Sequence, residues 1–330
     1  MANEIEKLNT IAIADIEKFN AKTDDNIEKL NGLEFAGVSG FAVIAYGNPD
    51  AAGATAVSNL VSNLGVVASD TTGVGTARSG LNGTEYGGDK GIFFYGSAAS
   101  GNVDTRNLVT NAGVIGADQS GAGTTRHSGA AAGYSTNLAI AFGAETGSGK
   151  NGVSNLINSS GVVGSDVTAV GTAKSGLAGT EYGGDKAIFA YGRDNSGLTN
   201  TKNLISNSGV VASDAAGGGT ARTMATANGY GSGQSTAIFV GAEGASAMIG
   251  VSNLVNSSGV IASDTTAVMT GRGYAASMEY GGDKGICAFG YISGNVNGSN
   301  LISNSGVVGS DVTGVGTARN QPAGCGTGQS

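Results

Sequence analysis

One phrase, spelled NLISNSGVVASD at residues 203–214, recurs six times along a chain of 330 residues. Its leading asparagine falls at Asn59, Asn107, Asn155, Asn203, Asn253 and Asn300, and its closing aspartate at Asp70, Asp118, Asp166, Asp214, Asp264 and Asp311. Both series advance by 48, 48, 48, 50 and 47 residues, so the chain is an array of six equivalent units behind a different leader. A period of this size with strand-like contents predicts a propeller or another β array.

Sixty glycines and two prolines would suggest disorder if they were scattered through polar filler. They instead hold fixed phases of the repeat, beside apolar runs such as Ala187–Gly192 (AIFAYG), as turns that punctuate strands do. The formal charge of −8, with 17 thinly spread basic residues, argues against nucleic acid as a partner, which needs a dense basic surface. No apolar stretch approaches the roughly 18–20 residues that cross a bilayer, so no membrane insertion is expected. Residues 1–31 are too charged for a signal peptide, and folding in a cytoplasm is the simplest expectation. Cys287 and Cys325 have no metal-type spacing and read as two buried thiols.

Residues 174–222 show the unit most cleanly. SGLAGTEYG reads as a narrow inner strand, AIFAYG as a fully buried one, KNLISNS as an alternating one and GVVASD as a fourth. The predicted fold is therefore all-β: a six-bladed β-propeller of four-stranded blades. Residues 320–328 are expected to return to the first blade, so that the C-terminal strand closes the ring. A second period lies inside the first. EYGGDK occurs at Glu85–Lys90, Glu181–Lys186 and Glu279–Lys284, in alternate units only. Duplication of a pair of units explains this without function; a partner with matching three-fold faces is the other reading.

The order of small-residue strand, apolar strand ending in Tyr-Gly or Phe-Gly, polar loop, strand and Thr-x-Arg turn is similar to the kelch repeat. The basic residue of that turn recurs at Arg78, Arg126, Lys174, Arg222, Arg272 and Arg319. Kelch repeats usually carry a Gly-Gly pair after the second strand and a tryptophan before the turn, and this chain has no tryptophan. The resemblance implies kelch-like architecture and no kelch function.

In the leader, IEKLN, IEKFN and IEKLN begin at Ile5, Ile16 and Ile27, a period of 11 residues. Eleven residues make nearly three helical turns, so Ile5, Leu8, Ile16, Phe19, Ile27 and Leu30 would form an apolar stripe on a short N-terminal α-helical segment. Three short helical turns are the rival form. Either divides the chain into a helical leader, residues 1–32, and the six-unit array, residues 33–330. The stripe is expected to dock on a partner chain or on the array itself.

The strings ADIEKFNAKTDDNIEKLNGLEFAG, YGGDKAIFAYG and SNSGVVASDTTGVGTAR resemble segments of structural proteins from tailed, notably marine, bacteriophages. That resemblance implies a non-enzymatic virion protein of the tail, fibre or surface. It would be attached to other virion proteins through its leader and would present the propeller for assembly or host contact. The expected location is then the virion, after synthesis in a host cytoplasm, with a homo-oligomer as one form. The alternative is a glycan-binding propeller that recognises host surface sugars through loops such as residues 193–200.

Little in the chain points to catalysis or to a cofactor. His127 is the only histidine, so triads and metal clusters needing several imidazoles are excluded. The six aspartates stand at one phase of the repeat, in turns where carboxylates accept backbone hydrogen bonds, and a structural role is expected of them rather than glycosidase chemistry. No cofactor or metal site is expected.

Overall fold

The computed structural model describes residues 41–49, 53–135, 137–168, 170–266 and 269–327, with six two-residue strands between residues 7 and 34. Beyond the leader the described residues form eight separate antiparallel sheets, six principal and two small. Sheet one joins the C-terminal strand Ala323–Thr327 to Phe41–Ala45 and Ser58–Val61. Sheet two is Asn82–Tyr86, Lys90–Phe94 and Arg106–Val109. Sheet four is Ala178–Tyr182, Lys186–Ala190 and Lys202–Ile205, and sheet six is Ala276–Tyr280, Lys284–Ala288 and Ser299–Ile302. Sheets three and five have four strands. They are Ala130–Tyr134, Leu138–Thr146, Gly149–Ile157 and Val167–Thr168, and Thr226–Tyr230, Thr236–Glu243, Met248–Val255 and Thr265–Thr266.

The two kinds of sheet follow from how the second strand ends. In sheets one, two, four and six it runs into Tyr46, Tyr95, Tyr191 or Phe289, each with a positive φ of 61–65° and each followed by glycine, which turns the chain out of the ladder. In sheets three and five the strand passes a bulge, at Phe142/Ala144 and Val240/Ala242, and continues as a long hairpin.

Middle strands are buried on both faces, which is why they read as unbroken apolar runs. Val43 and Ala45 pack with Phe93 of sheet two, while Ala42 and Ile44 pack with Ile286 and Phe289 of sheet six. Six apolar clusters result, one between each sheet and the next. The leading strands pack side by side in chain order, and Ala323–Thr327 lies against both Ala276–Tyr280 and Asn82–Tyr86.

Several expectations are corrected here. The kelch-like, six-bladed propeller of four-stranded blades, closed and preceded by a helix, is replaced by open sheets of two to four strands, none closing on itself. The GVVASD stretches form no fourth strand; in sheets three and five the fourth strand begins at the residue after the closing aspartate. In sheet one the stretch meets the third strand at one isolated bridge, Val61↔Val67, and the residue after it at another, Ser58↔Thr71. Between those bridges the Asn59 side-chain amide donates to the Ala68 carbonyl and to Asp70, both at 2.9 Å, so a side chain takes the place of ladder bonds.

No α-helix occurs among the described residues. The 11-residue period of the leader instead spaces three small hairpins, Lys7–Leu8 with Ile11–Ala12, Lys18–Phe19 with Lys22–Thr23, and Lys29–Leu30 with Leu33–Glu34. Two residues separate each pair of partners in the sequence, the first always asparagine. An 11-residue period fits a recurring hairpin as well as three helical turns.

Candidate functional site

The conserved phase of the repeat builds a buried polar knot in every unit. Arg78 is fully buried and its Nη2 donates to Asn107 Oδ1 at 2.7 Å. The Asn107 amide donates to Asp118 at 2.9 Å, and Asp118 also accepts from the Thr76 amide and hydroxyl at 2.9 and 2.6 Å. Burial alone would raise the Asp118 pKa, but the bonds from Thr76 and Asn107 and the charge of Arg78 together hold it below its ordinary value. Four of these knots add a cation over an aromatic face: Arg78 over Tyr46, Arg126 over Tyr95, Arg222 over Tyr191 and Arg319 over Phe289, at 3.7–4.2 Å. The terminal guanidinium nitrogen, the asparagine amide and the aspartate bond one another, while Nε is bonded at Arg319, to the Tyr46 carbonyl, and is without a partner at Arg78, Arg126, Arg222 and Arg272.

Carboxyls without a basic partner lie between the leading strands. In sheets two, four and six the next-to-last residue of the leading strand is Glu85, Glu181 or Glu279, opposite Gly91, Ala187 and Gly285 in register. At the same register in sheets three, five and one stand Gly133, Gly229 and Gly326. The alternation is steric. A Cβ on Gly133 would overlap the Glu181 carboxylate, and one on Gly229 would overlap that of Glu279. Side chains at Gly133 and Gly229 would leave no room for Glu181 and Glu279, so glutamate alternates with glycine along the row of leading strands.

The three glutamates line a central chamber of about 60 Å³ together with Thr84, Thr180, Asn228 and Gln234. Glu85, Glu181 and Gln234 also line an adjoining cavity of about 180 Å³, bounded by Gly88, Asn137, Gly184 and Gly282. No Lys, Arg or His lines either space. Glu279 is 8% exposed, while Glu85 and Glu181 are half-buried and keep their remaining surface on these cavities. Burial pushes Glu85 up to about 7. Burial first, and then the charge of the neighbouring glutamates, raises Glu181 and Glu279 well above the usual carboxylate range, against a hydrogen bond that Glu279 accepts from Gly229. Gln234 donates its amide to Glu279 and leaves Oε1 without a partner. Asn228 is 1% exposed, and neither its Oδ1 nor its Nδ2 has a partner. Among the described residues no three His, Cys, Asp or Glu side chains are gathered closely enough to ligate one metal ion directly.

Of the docking stripe read from the sequence, Leu8, Phe19 and Leu30 fall in separate two-residue strands, and Ile5, Ile16 and Ile27 lie outside the described residues. Cys287 and Cys325 are buried and unpaired with each other, and Cys325 borders the chamber. The glutamates were visible in the sequence only as part of EYGGDK. The signal for their role was the glycine at the same strand position in the intervening units, as in AAAGY and TANGY.

No family model matches the chain, and no curated protein matches it. The resemblance to phage virion proteins therefore gains no support from known families. The virion protein that presents a closed propeller from a helical anchor, and its glycan-binding variant, are corrected along with the fold on which they rested.

Proposed function

We propose that this chain is a binding scaffold whose central chamber takes a small cationic ligand between Glu85, Glu181 and Glu279. The observation that carries this reading is the alternation of glutamate with glycine, which brings three carboxyls to one interior space lined by no basic side chain. Buried carboxylates without a counter-charge are costly and are retained where a proton or a bound cation neutralises them. Catalysis by acid and base would need carboxyls whose environments drive them apart, and these three are driven in the same direction.

Isothermal titration of the full chain with magnesium, calcium, ammonium and a linear polyamine tests the reading. At least one cation is expected to bind stoichiometrically, and E85Q/E181Q/E279Q to lose it. Failure of all four to bind, or equal binding to the variant, would overturn it.

A further inference from the structure

One end of the array carries surface that neither the knots nor the chamber uses. In every principal sheet the third strand finishes beside the start of the second, as Val109 pairs with Gly91 and Ile205 with Ala187. The turn after each third strand therefore lies at the end where residues 87–89, 183–185 and 281–283 link the first two strands. Each turn also lies over the sheet before it. A Cβ on Gly161 would run into Tyr86 and Leu108, and one on Gly259 into Tyr182 and Leu204, so glycine lets the turn settle there.

Every one of the six turns exposes a valine: Val66, Val114, Val162, Val210, Val260 and Val307 are 46–64% exposed. The valine amide donates to the side-chain oxygen of the first residue of its turn, as Val66 does to Ser62 and Val162 to Asn158, in all six at 3.0–3.2 Å. An apolar group on so ordered a turn loses little freedom when it is covered. The turns hold no ionisable residue, and neither do residues 135–137 and 231–235, which link the first two strands of sheets three and five. Charge among these turns and links is confined to one pair in each alternate sheet: Asp89 with Lys90, Asp185 with Lys186 and Asp283 with Lys284. The lysine side chains are 40–43% exposed and those of the aspartates 31–40%. Asn111, Asn207 and Asn304 of the valine turns donate to the three aspartates and hold them in place. The turns and links thus sum to no charge, on a chain whose formal charge is −8.

We infer that this end is an interface between two copies of the chain, packed face to face about a two-fold axis. In such a contact both copies use the same patch, and every contact occurs twice. A patch with both signs at each of three positions sets the lysines of one copy against the aspartates of the other, a match that a second copy carries by construction. The valines supply the apolar contact. The charges supply the register, since exposed ion pairs contribute little energy but penalise wrong pairings. Depletion of charge is also what marks the centre of such patches. Area is sufficient: a stable dimer buries about 800 Å² on each partner, about 6% of the 13294 Å² that the chain exposes, and all six principal sheets contribute to this end. The inference is independent of the cationic reading of the chamber.

Sedimentation velocity of the full chain over about 1–100 μM is expected to show monomer in equilibrium with dimer. V114D/V210D/V307D should weaken the dimer at least 100-fold, and because these valines are exposed an unchanged melt shows that the fold is kept. D89K/D185K/D283K and K90D/K186D/K284D should each be monomeric over the same range, and an equimolar mixture of the two should dimerise again. A parent that stays monomeric, a dimer that the valine variant leaves intact, or a mixture that stays monomeric would overturn the inference. Phe41 pairs with Thr327 at this same end, so residues 1–40 leave the array beside the patch and are the rival cover. Carbodiimide cross-linking of mixed isotopically light and heavy protein separates the two. Links between copies at the Asp–Lys pairs are expected. Links only within one copy, from Lys7, Lys18 or Lys29 to Asp89, Asp185 or Asp283, would overturn the interface in favour of the leader.

Discussion

Arg319 donates from Nη2 to Asn59 Oδ1 at 2.7 Å, joining residues 260 positions apart. The same bond in the second unit, Arg78 to Asn107, spans 29 positions. The first and last units are therefore held by the knot that serves every other unit, with Thr317 donating to Asp70 as Thr76 does to Asp118.

Replacing Asn59 by Ala should destabilise the whole array, because it leaves Nη2 of the buried Arg319 guanidinium without its asparagine acceptor. The expected loss is about 3 kcal/mol, since the orphaned donor is charged. Urea denaturation of Asn59→Ala and Asn155→Ala measures it. Similar losses in both would show that the long-range knot is equivalent to a local one; a change below about 0.5 kcal/mol at Asn59 would refute that equivalence.

A second prediction separates backbone conformation from the knot. Gly53 and Gly75 both have φ of 81°, but a Cβ on Gly53 meets nothing within 4 Å, whereas one on Gly75 would overlap Asp118 Oδ1. Both alanine variants incur about 1 kcal/mol for the left-handed conformation. Gly75→Ala should cost a further 1–2 kcal/mol or about that, as a hydrogen-bonded carboxylate is displaced. Equal melting temperatures for the two variants would mean that the knot tolerates the displacement.

The six-unit repeat was legible in the sequence, while the propeller built on it was not. The recurrence of Asn59 through Asn300, of Asp70 through Asp311 and of the basic residue after the Thr-x step marked the positions that the knots use, without showing that they meet. The register between them was not legible, since no spacing shows that Arg78 bonds Asn107 and covers Tyr46. GVVASD has the composition of a strand, but Asn59 and its equivalents draw its carbonyls off the ladder. The leader misled for a different reason, because an 11-residue apolar period is common to three helical turns and to a recurring hairpin. The chamber was half legible: EYGGDK in alternate units marked the glutamates, while the meaning of Gly133 and Gly229 required the third dimension.

The pH dependence of stability follows from two opposed sets of carboxyls. Asp70, Asp118, Asp166, Asp214, Asp264 and Asp311 have folded pKa values below 3.8, so their contribution is full above that value and is lost as pH falls through the folded pKa. The three glutamates have folded values above 4.5, so their contribution is full below that value and is lost as pH rises through about 7 for Glu85 and higher for its neighbours. In chelator, the melting temperature should peak near pH 4–5 or about that, and decline on both sides. A steady rise from pH 4 to pH 8 would contradict the assignment of the glutamates.

The same balance predicts that E85Q/E181Q/E279Q is more stable than the parent at pH 8 in chelator, by at least about 2 °C in Tm. A cation that the parent binds should raise the parent's Tm by mass action and leave the variant's unchanged. Thermal melts followed by circular dichroism, with and without the ion, give both comparisons.

The most direct measurement is isothermal titration of the full chain and of E85Q/E181Q/E279Q, side by side, with magnesium, calcium, ammonium and a linear polyamine. The account predicts stoichiometric binding of at least one of them to the parent and its loss in the variant. No binding to the parent, or equal binding to the two, would contradict it.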